Sequence, residues 1–70
     1  MRATYGSPTM TEASHVRFGD KVFPEIDGHA LPAGIVADIL DCGGKLRFTL
    51  EDGREFELGL YERVFTAQKY

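Results

Sequence analysis

The sequence predicts an all-β fold, a small five-stranded barrel preceded by a flexible N-terminal tail. Three observations carry that expectation. Every Val, Ile, Leu and Phe lies between Val16 and Phe65, in short runs. Those runs are punctuated by turn signals, chiefly Gly43-Gly44 and Asp52-Gly53. The two turns also agree on which apolar residues share a face.

Residues 1–14 hold no Val, Ile, Leu or Phe, and Gly6, Ser7 and Pro8 favour a loose chain. The expectation is a flexible tail over 1–14 and a folded unit over 15–70. That unit opens with His15-Val16-Arg17-Phe18, bends at Gly19-Asp20 and continues as Lys21-Val22-Phe23, together a first strand. Pro24 to Ala33 holds two prolines, a glycine and two acids, so it reads as a long loop.

Residues 34–59 form the firmest element, a three-stranded antiparallel meander. A two-residue turn at Gly43-Gly44 places Ile39 opposite Phe48 and Ala37 opposite Leu50. Ile35, Ala37 and Ile39 then share a face with Leu46, Phe48 and Leu50, and Val36 and Leu40 point the other way. A three-residue loop Glu51-Asp52-Gly53, with Gly53 left-handed, pairs Phe48 with Phe56 and Leu46 with Leu58. The same loop sets Arg47 opposite Glu57, and Thr49 opposite Glu55, on the outer face. A slip of one residue would send every side chain to the wrong side, so agreement across two turns fixes the register. Gly59 to Arg63 then supplies one turn, and Val64-Phe65-Thr66-Ala67 a last strand. Closing five such strands into a barrel would bury the face that three alone leave wet.

At 70 residues and 7.8 kDa, the chain has room for one domain only. Its single Cys makes no internal disulfide, and with two His it falls short of a zinc site. The formal charge of −3 and pI near 5.2 weigh against nucleic acid as the partner. No apolar run is long enough to span a membrane, and no charged-then-apolar pattern of a signal peptide is readable, so neither is expected. A reducing, cytoplasmic setting is expected.

The residues Phe18-Gly19-Asp20-Lys21-Val22, Gly34-Ile35-Val36-Ala37 and Leu50-Glu51-Asp52-Gly53-Arg54 resemble the SH3-like small barrels of bacteria, which include Tudor-like and KOW-like modules. The resemblance covers about residues 16–66. The chain is also distantly similar to the plasmid-type trimethoprim-resistant dihydrofolate reductases. Those share a Gly-Asp-basic-Val opening, and close with a segment like Leu60-Tyr61-Glu62-Arg63-Val64. That family builds one active site at the centre of a tetramer with a Val-Gln-Ile-Tyr motif. Here the matching strand reads Phe56-Glu57-Leu58-Gly59, so the reductase activity is not carried over.

No catalytic constellation is readable. His29 stands in an acidic loop with Glu25 and Asp27, but nothing there excludes water from it; His15 starts a strand. Asp27-Gly28 breaks the spacing a metal site would need, so no metal and no cofactor are expected. Cys42 lacks a neighbouring base and reads as a strand-end residue. Arg17, Lys21, Lys45, Arg47, Arg54 and Arg63 would serve nucleic acid, yet Glu51, Asp52, Glu55 and Glu57 oppose a phosphate backbone. The expectation is instead a non-enzymatic SH3-like module for protein interaction or oligomerisation. Its partner site would be Phe23, Glu25, Asp27, Tyr61 and Phe65, where acids beside aromatics suit a basic or methylated-amine ligand. Outward-facing Val36 and Leu40 would form a contact with another copy. The alternatives are an oligomeric enzyme with a small-molecule site on a symmetry axis, and a Tudor- or KOW-like nucleic-acid module.

Overall fold

Two turns set the architecture. In the computed structural model, which describes residues 5–70, Gly43 and Gly44 both take left-handed φ, 72° and 92°. That backbone is what a two-residue hairpin turn requires, and glycine adopts it without a Cβ clash. The turn joins β5 (Gly34–Asp41) to β6 (Lys45–Leu50) and puts Ile39 opposite Phe48. The three-residue loop after β6 closes with the Leu50 N–H donating to the Arg54 carbonyl at 2.8 Å. It leads into β7 (Glu55–Gly59), with Phe48 opposite Phe56, Leu46 opposite Leu58 and Arg47 opposite Glu57. The meander therefore stands where the sequence places it, over residues 34–59.

The remaining strands are β1 (Thr9–Glu12), β2 (Lys21–Phe23), β3 (Glu25–Ile26), β4 (His29–Ala30) and β8 (Arg63–Ala67). Strands β3 and β4 form a separate two-stranded hairpin. The other six make one antiparallel sheet in the order β1-β8-β2-β5-β6-β7. Strand β5 belongs to both halves, pairing first with β2 through Gly34 and Ile35 and then with β6 from Val36 onward. Among the described residues the end strands β1 and β7 do not pair. The fold is thus all-β with a large antiparallel sheet that stays open, rather than a hydrogen-bonded five-stranded cylinder.

Val22, Val36, Phe48, Leu50 and Val64 fill the core, with Ala13 and Val16 packed at its end. The Phe48 and Phe56 rings stack with centroids 5.3 Å apart. Gly34 is required for space: a Cβ there would stand 2.6 Å from Leu50 Cδ1. Asp20 is a buried carboxylate, 5% exposed. Its Oδ2 accepts from the Arg17 N–H at 3.0 Å and its Oδ1 from the Lys69 N–H at 3.1 Å, so it is satisfied where it sits.

Four expectations are corrected. The tail expected over 1–14 is structured from Tyr5 onward: Tyr5 bridges Lys69, β1 pairs β8, and Ala13 is fully buried. Residues 1–4 lie outside the described residues. The cause is that β1 needs no large apolar residue of its own, because β8 supplies its backbone partners and Ala13 fills the space beneath. The second concerns β5, whose register shifts between Val36 and Asp38, so Val36 rather than Ala37 lies opposite Leu50. This is a β-bulge at Ala37, and it reverses the facing of every residue before it. Val36 is 2% exposed and part of the core, so it cannot serve as an outward contact; Ala37 is exposed, and Leu40 points outward as expected. The third is the 24–33 loop, which contains the β3–β4 hairpin. Its turn residues Asp27 and Gly28 both have positive φ, 51° and 78°, the same backbone as at Gly43-Gly44. The segment His15–Phe18 is likewise not a strand; a 3-10 turn, Ala13–His15, occupies its start.

A candidate binding groove

The Phe23 side chain stands directly opposite Phe65 across β2 and β8, and Met10 lies opposite Phe65 across β1. Residues 64 and 66 of β8 turn into the core, so Phe65 must turn out, and it is 51% exposed. The row Met10-Phe65-Phe23 thus presents apolar surface on the outer side of the sheet. It forms part of a groove of about 450 Å³, within the range of roughly 300–1,000 Å³ that ligand sites occupy. Its lining includes the start of the first loop, Phe23 to Ile26, and β7 from Glu55 to Leu58.

The groove is acidic. Glu25, Glu55, Glu57 and Glu62 line it against the single cation Arg63. Glu57 is tied to Arg47 at 2.9 Å, an exposed pair that pushes the Arg47 guanidinium further up, chiefly through their hydrogen bond. Glu62 is held by the Gly59 N–H, which donates to its Oε1 at 2.6 Å. Glu25 and Glu55 form no ion pair among the described residues.

Arg54 braces the first loop from a distance. Its guanidinium donates to the carbonyls of Pro32 at 2.7 Å and Ala33 at 3.1 Å, and to Asp52 Oδ2 at 2.7 Å. The Leu31 N–H donates to the Pro24 carbonyl, so the end of the loop held by Arg54 is tied to the end that walls the groove.

Of the expected partner-site residues, Phe23, Glu25 and Phe65 meet in this groove. Asp27 sits at the hairpin turn of the loop and Tyr61 in the turn before β8, 79% exposed; neither lines the groove. The sequence reading missed Met10, Ile26, Glu55 and Glu57 as groove residues. The alternation Thr9-Met10-Thr11 was a readable strand signal for the first of these. His15, His29 and Cys42 are all exposed. Among the described residues no three His, Cys, Asp or Glu side chains are grouped to hold a metal ion, and no helix is long and apolar enough to cross a membrane. Comparison with family models, with curated proteins and with solved structures finds no match.

Proposed function

We propose that this chain is a non-enzymatic, SH3-like module that binds a basic segment of another protein. The fold part of the proposal is supported by the strand order β8-β2-β5-β6-β7, with a long hairpin loop after the first of these in sequence and a short turn before the last. On this reading the order matches the connectivity of a half-open five-stranded barrel, with β1 added as a sixth strand. The observation that carries the binding part is the pair of exposed Phe65 and half-buried Phe23 in a groove with four glutamates and one arginine. A lysine or arginine can lay its aliphatic stem on these rings while its charge meets the rim, an arrangement worth about 0.5–1 kcal/mol per cation–π contact at exposed sites.

The test is a titration of ¹⁵N-labelled protein with a Lys/Val decapeptide and, separately, with a Glu/Val control of equal length. Saturable amide shifts at Phe23, Glu25 and Phe65 with the basic peptide alone, lost in Phe65→Ala while the circular dichroism is unchanged, are expected. Shifts that avoid the groove, or equal response to both peptides, would refute the reading. Salt-sensitive binding to a DNA or RNA oligonucleotide would favour the nucleic-acid alternative instead. The outward Leu40 leaves self-association open to sedimentation, but Val36 no longer contributes to it.

A further inference from the structure

We infer, resting on the reading of the groove as a protein-binding site, that the partner enters it as an added antiparallel β-strand on the open edge of β7, with cationic residues alternating with apolar ones. In an antiparallel ladder, successive residues direct their N–H and C=O alternately toward and away from the neighbour. The Leu50 N–H donates to the Arg54 carbonyl, so Arg54, Phe56 and Leu58 face β6. Glu55, Glu57 and Gly59 therefore turn their backbone groups away from β6. Gly59 bears this out: its N–H goes to the Glu62 carboxylate and its carbonyl accepts from the Glu62 N–H at 3.1 Å. Gly59 is thereby closed, and the open ladder consists of Glu55 and Glu57. Among the described residues β7 pairs with β6 alone, and Glu55 to Leu58 is the stretch that walls the groove.

The chemistry of the occupant follows from what flanks that edge. Side chains opposite Glu55 and Glu57 on an added strand lie on their face; Glu57 already shares its charge with Arg47, so the preference for cations over acids rests chiefly on Glu55. Side chains between them lie on the face of Phe56 and Leu58, which favours aliphatic residues. A second copy adding through its own β7 would bring Glu55 and Glu57 against their duplicates, so a self-paired edge is disfavoured. The other edge strand, β1, is less open: it follows Pro8, which lacks an N–H, and the Thr11 hydroxyl already donates to the Thr9 carbonyl at 3.2 Å.

Three synthetic decapeptides of alternating Lys and Val test this: one unmodified, one N-methylated at every Lys, one N-methylated at every Val. In the antiparallel arrangement the Lys amides face β7 and the Val amides face away. The unmodified peptide is expected to bind and to slow hydrogen exchange at the Glu55 and Glu57 amides at least tenfold. The Val-methylated peptide should retain affinity within a few fold, and the Lys-methylated one should lose at least tenfold. Equal affinity of both methylated peptides, or unchanged exchange at Glu55 and Glu57 in the bound state, overturns strand addition while leaving the groove reading intact. Failure of all three peptides to bind overturns both.

Discussion

Replacing Asp20 by alanine is expected to be among the most costly single changes in this chain. The carboxylate lies at the turn before β2 and receives two backbone N–H groups, from Arg17 at 3.0 Å and from Lys69 at 3.1 Å. The same turn is bonded to β5, with the Val36 N–H donating to the Asp20 carbonyl and the Gly19 N–H to the Val36 carbonyl, each at 2.9 Å. Asp20 thus ties together the entry to β2, the bulged part of β5 and the C-terminal segment. Hydrogen bonds to a charged group contribute about 1.5–3 kcal/mol each, so two give about 3–6 kcal/mol. Removing a buried charge returns part of that, and the exposed Lys69 amide can reach water, leaving about 2–4 kcal/mol. Urea unfolding followed by far-ultraviolet circular dichroism reads the loss. With a slope near 1 kcal/mol/M for a chain this small, the midpoint should fall by about 2–4 M. Asp20→Asn keeps one acceptor and should fall between wild type and alanine. A midpoint for Asp20→Ala within about 0.5 M of wild type would show that the carboxylate is not a structural tie.

Arg54→Ala removes the brace on the first loop. It should lower the urea midpoint by about 1–2 M and speed amide exchange at Leu31, and Arg54→Lys should rescue only part of either. Phe48→Ala empties the centre of the core beneath the Phe56 ring and should cost about 3–5 kcal/mol, a large share of a small domain's stability; Phe48→Leu should lower the midpoint less and leave a cooperative transition. The Asp52 carboxyl is held below its ordinary 3.8, first by the Arg54 backbone N–H and then by the Arg54 side chain. A depressed folded-state value gives stability that is fully present above the ordinary one, so the effect begins to fade below about pH 4 and is gone only once pH has fallen below the folded-state value. Carbon-detected titration should place the Asp52 midpoint below 3.8, and Arg54→Ala should move it upward.

The meander was legible because its two turns each demand glycine at a left-handed position, and the register then follows by counting. The bulge at Ala37 was not legible for a definite reason. Ile35-Val36-Ala37 is apolar throughout, so both facings satisfy the pattern; the folded protein keeps the larger Val36 inside and leaves the methyl of Ala37 in water. Strand β1 was missed because its stability resides in backbone pairing to β8 and in the burial of Ala13, neither of which marks a sequence as apolar. In the groove, Phe23, Glu25 and Phe65 were identified from residue type and loop position. Glu55 and Glu57 were assigned to a solvated outer face; what distinguishes them is that β7 ends the sheet, a property of topology that no local window contains.

Strand β8 lies between β1 and β2, although it is made last. The meander from Gly34 to Gly59 can pair as soon as it leaves the ribosome, since its contacts are local. In the other half, β2 can meet the start of β5 early, but the β1–β8 and β2–β8 pairs must wait until residues 63–67 arrive, when Thr9 meets Thr66 across a long stretch of sequence. Such distant closure slows folding. During synthesis β1 therefore waits without a partner and β2 has only β5 to pair with, until β8 docks between them.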